Sequence, residues 1–175
     1  MVLVGMMGAG KTSVGREIAG RQGAFVDTDR LVEQRAGLSI SEIFAKEGEP
    51  AFRRLEIEAL RDAISSGAYG VVSTGGGIVT TETGREFLNE VDAFVVWLTA
   101  PNEELARRAS KSGNRPLLTG DPVARITELM KERANLYAEV ADLTIDTSGL
   151  SIKQVAQLVE EALDRIGNGE DNDGR

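Results

Sequence analysis

Short apolar runs alternate along this chain with longer stretches whose apolar residues return at helical spacing. Met1 to Val4 is the first run, of strand character, and Val14, Ile18 and Ala19 then share one side of a helical repeat over Thr12 to Gly23. Ala24-Phe25-Val26 reads as a short strand ending in Asp27-Thr28-Asp29. Leu31 to Ala36 and Ser39 to Glu47 read as two short helices split at Gly37, with Ser39 and Ser41 both suited to cap the second. Gly48-Glu49-Pro50 opens a longer helix to about Ser66, carrying Phe52, Leu55, Ala59 and Ile64 near helical spacing.

Val71-Val72-Ser73 is the next strand and runs straight into Gly75-Gly76-Gly77; a helix is expected over Thr81 to Asn89. Ala93 to Leu98 is the most continuous apolar strand, as a strand covered on both faces should be. Asn102 caps a helix to about Ala109, and Ser110 to Pro122, with two glycines and two prolines, reads as a mobile loop. A helix over Val123 to Val140, a strand over Leu143 to Asp146 and a last helix over Ser151 to Ile166 complete the pattern. Gly167 to Arg175 is polar and glycine-rich, and is expected to be disordered. The alternation predicts a single α/β domain over residues 1–166, with a parallel sheet wrapped on both sides and its site at the carboxyl ends of the strands.

Composition narrows what that domain can do. The chain has 175 residues, a hydrophobic fraction of 41%, a charged fraction of 27% and a net charge of -8. That charge opposes nucleic-acid or anionic-membrane binding by bulk electrostatics. With no cysteine and no histidine, thiolate chemistry is excluded, and a general base has to be a carboxylate or a lysine. No apolar run approaches a membrane span and nothing at the start resembles a signal peptide, so the expected location is the cytoplasm.

The candidate chemistry begins at Gly5 to Ser13, GMMGAGKTS, which fits the phosphate-loop pattern G-x-x-x-x-G-K-[ST]. A strand, a glycine turn and a helix in that order aim backbone N–H groups at an anion. Gly8, Ala9 and Gly10 are small enough for close wrapping, Lys11 can reach the β- and γ-phosphates, and the Thr12 hydroxyl can ligate Mg²⁺. A glycine-rich turn that binds nothing is the alternative, and the agreement of motif with context weighs against it. Asp27 and Asp29 share a face if the strand continues; Asp27 could hold the metal and Asp29 could orient an acceptor hydroxyl and take its proton. Helix capping competes with that reading, and one residue could do both.

Three consecutive glycines, Gly75 to Gly77, point to a substrate approaching bare backbone N–H groups. Arg53 can pair with Glu56 three positions on, and Arg133 shares its helix with Tyr137; taken singly, each arginine reads as a solvated helix residue. Arg115, in the polar loop, could close over phosphates. Tyr137, Phe52 and Trp97 read as packing residues.

Together these motifs resemble shikimate kinase, a small P-loop kinase of the nucleoside monophosphate kinase fold group. The resemblance is carried by GMMGAGKTSVGR at 5–16, FVDTD at 25–29, SISEIF with GEPAFRRLE across 39–56, VVSTGGGIV at 71–79, RPLL at 115–118 and ERANLY at 132–137. It implies a three-layer α/β fold whose five-stranded parallel sheet has the order 2-3-1-4-5, with a mobile lid at about 110–122 and a shikimate-binding helical region at about 30–60. It implies transfer of the γ-phosphate of ATP to the 3-hydroxyl of shikimate in chorismate biosynthesis, with Mg²⁺ as cofactor, by a monomer.

By position, Gly8 to Ser13 would hold the ATP phosphates, and Thr12 with Asp27 the metal. Asp29, Lys11 and Arg115 would be catalytic. Asp29, Arg53, Arg133 and Gly75 to Gly77 would bind shikimate, with the two arginines on its carboxylate. Arg115 would also contact ATP, and Arg108 and Ile152 are the candidates for the adenine. A gluconate kinase or a nucleoside monophosphate kinase of the same group is the nearest rival. A guanine-nucleotide switch would need an N-K-x-D motif, which this chain lacks.

Overall fold

The computed structural model describes residues 1–111 and 120–167. Five parallel strands, β1 (Val2–Val4), β2 (Phe25–Asp27), β3 (Val71–Ser73), β4 (Val95–Thr99) and β5 (Leu143–Asp146), form one sheet in the order β2-β3-β1-β4-β5. The described helices are α1 (Lys11–Gln22), α2 (Thr28–Ala36), α3 (Ile40–Ser65), α4 (Glu82–Glu90), α5 (Asn102–Lys111), α6 (Pro122–Val140) and α7 (Ile152–Gly167). None of them is long and apolar enough to cross a membrane.

Alternation along the strands divides the core between two faces. Leu3, Val96 and Leu98 point into a cluster with Ile18 of α1, Leu105 of α5, Ile126 of α6 and Val155 of α7. Val2, Val4 and Val95 point the other way, against Leu60 of α3, Leu88 of α4 and Val140 of α6. A third, smaller cluster joins Val32 of α2 to Ile43, Phe52 and Ala59 of α3, so the α2–α3 pair has a core of its own beside β2. All strands run the same way, with Leu3 level with Ser73 and Val96, so their carboxyl ends line up along one edge.

Several boundaries differ from the sequence expectation, each for a local reason. Helix α2 begins at Thr28 rather than Leu31, because the Asp27 side chain accepts the Asp29 N–H at 3.1 Å and caps it. Asp27 and Asp29 therefore do not share a strand face; the chain turns helical between them. The two expected helices, Ser39 to Glu47 and the longer one opened by Gly48-Glu49-Pro50, are both present within α3: a Ser39–Glu42 capping box starts the first, and Gly48, whose φ of 80° and ψ of 171° are non-helical, divides them. Helix α5 runs to Lys111, and Asp121 caps α6 from Pro122, so both ends of the expected lid are helical; residues 112–119, with Arg115, lie outside the described residues. Helix α7 ends at Gly167, and the rest of the expected tail also lies outside them.

Leu60 is fully buried between α3 and the sheet. Leu60→Ala is expected to cost about 2–5 kcal/mol by the cavity it leaves, measured by urea unfolding.

Candidate active site

Every sequence-predicted site residue within the described part lines one cavity of about 1200 Å³ along the carboxyl edge of the sheet. Its floor is the loop between β1 and α1. Gly10 sits at the N-cap of α1 with φ 94°, a left-handed conformation open to glycine, and supplies no capping side chain. The N–H groups of the first turn, at Lys11, Thr12 and Ser13, are thus left for an anion at the positive end of a helix of 12 residues. Lys11 is buried, and its Nζ donates to the Gly5 carbonyl at 2.6 Å and the Met6 carbonyl at 3.1 Å, which fix the ammonium inside the loop.

The Thr12 hydroxyl donates to Asp27 Oδ2 at 3.0 Å, bringing a hydroxyl and a carboxylate together beside the loop. Among the described residues no cluster of three or more acidic or histidine side chains could hold a metal by itself. The pair suits Mg²⁺, which takes one or two protein oxygens and fills its octahedron with phosphate oxygens and water.

Opposite the loop lie α2, α3 and the turn after β3. Asp29, in the first turn of α2, is pushed up to about 7, first by burial and then by the nearby charges of Glu56 and Asp27, against the pull of Lys11 and Arg53. Its Oδ1 is buried and has no hydrogen-bond partner among the described residues. Arg53, on α3, donates through Nη1 to Glu56 and through Nη2 to Glu49, each at 2.8 Å. Glu56 is wholly buried, which raises its carboxyl, while Arg53 holds it down. Arg133, on α6, donates to the Gly76 carbonyl at 3.1 Å, and the Tyr137 hydroxyl one turn on donates to the same oxygen.

The triple glycine also has a physical reason that the sequence did not suggest. A Cβ on Gly75 would strike Glu56 Oε1 and Asp29 Oδ1, and one on Gly77 would strike the Arg53 guanidinium. At Gly76 the nearest atom, the Gly5 carbonyl oxygen, stands 3.4 Å away, so that residue alone is governed less by crowding. At Gly75 and Gly77 the charged side chains of α2 and α3 leave no room for a Cβ.

Arg108, on α5, donates to Glu104 at 2.7 Å and to the Thr147 hydroxyl and carbonyl at 2.8 and 3.0 Å, in the wall of the cavity that the exposed Ile152 also lines. Sequence reasoning assigned Tyr137 and Trp97 to packing alone. They do stack, at 5.5 Å between centroids, yet Tyr137 also reaches the triple glycine, a role signalled only by its i+4 spacing from Arg133. Glu56 was legible as a surface partner for Arg53 and is instead a buried counter-charge.

A parallel sheet covered on both faces, with its glycine loop facing a charged pocket across one cavity, defines the class: a P-loop small-molecule kinase. A family model described as shikimate kinase matches residues 7–164. A shikimate kinase of Symbiobacterium thermophilum is 46% identical over 171 residues, 95% of this chain and 97% of that protein. The solved shikimate kinase of Acinetobacter baumannii, in complex with shikimate, superposes with a TM-score of 0.85 at 40% identity, covering 93% of this chain and 90% of that one. The chain belongs to the shikimate kinase family. A gluconokinase of Sinorhizobium meliloti, at 19% identity and a TM-score of 0.64 over 96% of this chain and 93% of its own, shares the fold alone.

The raised Asp29 carboxyl makes stability depend on pH. A carboxyl at 3.8 when unfolded and about 7 when folded contributes stability below about pH 4 that is lost as pH rises through 7. Asp29→Asn is therefore expected to stabilise the ligand-free protein at pH 8 by on the order of 2 kcal/mol, a gain that shrinks toward pH 4, measured by unfolding at both pH values.

Proposed function

We propose that this chain transfers the γ-phosphate of ATP to the 3-hydroxyl of shikimate, giving shikimate 3-phosphate and ADP on the route to chorismate. The observation that carries the reading is the opposition, within one cavity, of the phosphate loop to the Asp29 carboxylate and the two buried arginines Arg53 and Arg133.

The loop N–H groups and Lys11 bind the β- and γ-phosphates and draw charge toward the leaving oxygen. Thr12 and Asp27 hold Mg²⁺, which neutralises phosphate charge when bound. Asp29 accepts a hydrogen bond from the attacking hydroxyl and takes its proton. Its proton affinity near neutral suits a general base, since a carboxylate of ordinary pKa would hold that proton poorly. Arg53 and Arg133, planar and permanently charged, receive the carboxylate of shikimate and set the distance between its 3-hydroxyl and the loop. Buried Nε atoms on both arginines, without partners among the described residues, show unused donor capacity. Arg108 and Ile152 flank the adenine, and Arg115, outside the described residues, closes on the phosphates. Positioning and charge neutralisation supply most of the rate in such a transfer.

ADP release from Mg²⁺-ATP should be stimulated by shikimate and not by gluconate or a nucleoside monophosphate. Equal release in every case would remove the acceptor site argued here. Asp29→Ala is expected to lower kcat by at least about 100-fold while ATP affinity stays within about twofold; loss of ATP binding with turnover preserved would overturn the role of Asp29. Arg133→Ala should raise the KM for shikimate about 10- to 100-fold and leave the KM for ATP near its original value, both read from steady-state kinetics.

A further inference from the structure

Both terminal nitrogens of Arg53 already donate to the protein's own carboxylates, one N–H each. Nη1 donates to Glu56 and Nη2 to Glu49, each at 2.8 Å, and Nε has no partner among the described residues. A carboxylate can grip a guanidinium with two parallel bonds either end-on, through Nη1 and Nη2, or side-on, through Nη2 and Nε. Both arrangements use Nη2, the nitrogen that Glu49 holds. Two carboxylates crowded on that nitrogen repel one another, so the acceptor's carboxylate and Glu49 are rivals for it.

The two glutamates are not equal in their hold. Glu56 is wholly buried, and stripping it of Arg53 would leave an uncompensated charge in the core. The Glu49 side chain is 56% exposed, and water can solvate it as it leaves. Its surroundings favour departure: Glu49 follows the Gly48 kink, and it also lines a second cavity of about 650 Å³ together with Arg54 and Arg61. Both of those arginines are exposed and, with Glu58 as the one opposing acid besides Glu49, leave that wall net positive.

We propose that Glu49 is an internal competitor of the substrate, a carboxylate that holds Arg53 Nη2 and is exchanged for the carboxylate of shikimate, with the neighbouring cavity receiving it. This rests on the reading of Arg53 as a carboxylate-binding residue. Glu49 acts only through Arg53 and is a positioning residue; it sets how selectively the site takes an acid over a neutral polyol. An acceptor without a carboxylate gains nothing by displacing it, whereas an acid replaces a half-exposed ion pair with a forked one.

Calorimetric titration of the whole protein with shikimate tests this. Glu49→Gln keeps the shape and removes the charge, and should tighten shikimate about two- to fivefold, the span expected for release from a partly exposed ion pair. In an Arg53→Gln background the same substitution should change affinity by less than about 1.5-fold, since the coupling runs through that guanidinium. Glu58→Gln, which removes an acidic charge from the same cavity wall, serves as the control and should leave shikimate affinity unaltered. Unchanged or weaker binding in Glu49→Gln would overturn the proposal. Tightening that persists without Arg53, or that Glu58→Gln reproduces, would overturn it too by reducing the effect to general electrostatics. If Arg53→Gln alone leaves shikimate affinity intact, the reading of Arg53 itself fails; if that variant weakens binding and Glu49→Gln does not tighten it, only the competition fails.

Discussion

The buried ion pair between Arg53 and Glu56 is the constraint around which the acceptor side of this protein is arranged. Two opposite charges three residues apart on α3 are buried together, and losing one partner of such a pair costs about 3–5 kcal/mol. Burial forces everything nearby to conform. The turn after β3 gives up its side chains at Gly75 and Gly77 so that Glu56 and Arg53 can lie against bare backbone. Asp29, already raised by its own burial, is pushed up further by the Glu56 charge, to about 7. The aromatic part of the cavity lining follows as well, with Arg53 5.1 Å over the Phe52 ring and Phe52 packed on Phe44 at 4.9 Å.

A second chain of contacts ties the same turn to β4 and α6. Trp97 of β4 stacks on Tyr137 of α6, and Tyr137 and Arg133 both donate to the Gly76 carbonyl. The three glycines are held from two directions, by α3 below and α6 beside. A peptide that accepts two hydrogen bonds is fixed in orientation, and the site gains a rigid wall where the donor and acceptor sides of the cavity meet. The phosphate side is made differently, from backbone alone. Its charge preference comes from the uncapped first turn of α1 and from Lys11, which is held by the loop's own carbonyls, so it depends little on the packing of α3.

The sheet, its helical cover and the phosphate loop were legible in the sequence. Apolar periodicity reports which face of an element is buried, and the glycine spacing of a phosphate loop is local. The resemblance supplied the strand order 2-3-1-4-5, which the structure has. The errors came where a side chain, rather than a period, decides. Asp27 ends the expected strand as the cap of α2, which therefore starts three residues before the expected Leu31. Tyr137 looked like packing because a hydroxyl that donates to a carbonyl 61 residues away leaves no mark in the pattern near it.

By itself, then, the sequence determined the architecture, the anion site at the start of α1, and the set of residues that meet at one edge. Tertiary structure alone decided which of the charges there are buried and with what partner. Glu49 and Glu56 look alike along α3, being four residues before Arg53 and three after it, yet one is half in water and the other sealed in the core. That difference arises from what β3, its glycine turn and α6 bring over the helix from far along the chain. The energy of a charge depends on how much water those distant elements remove.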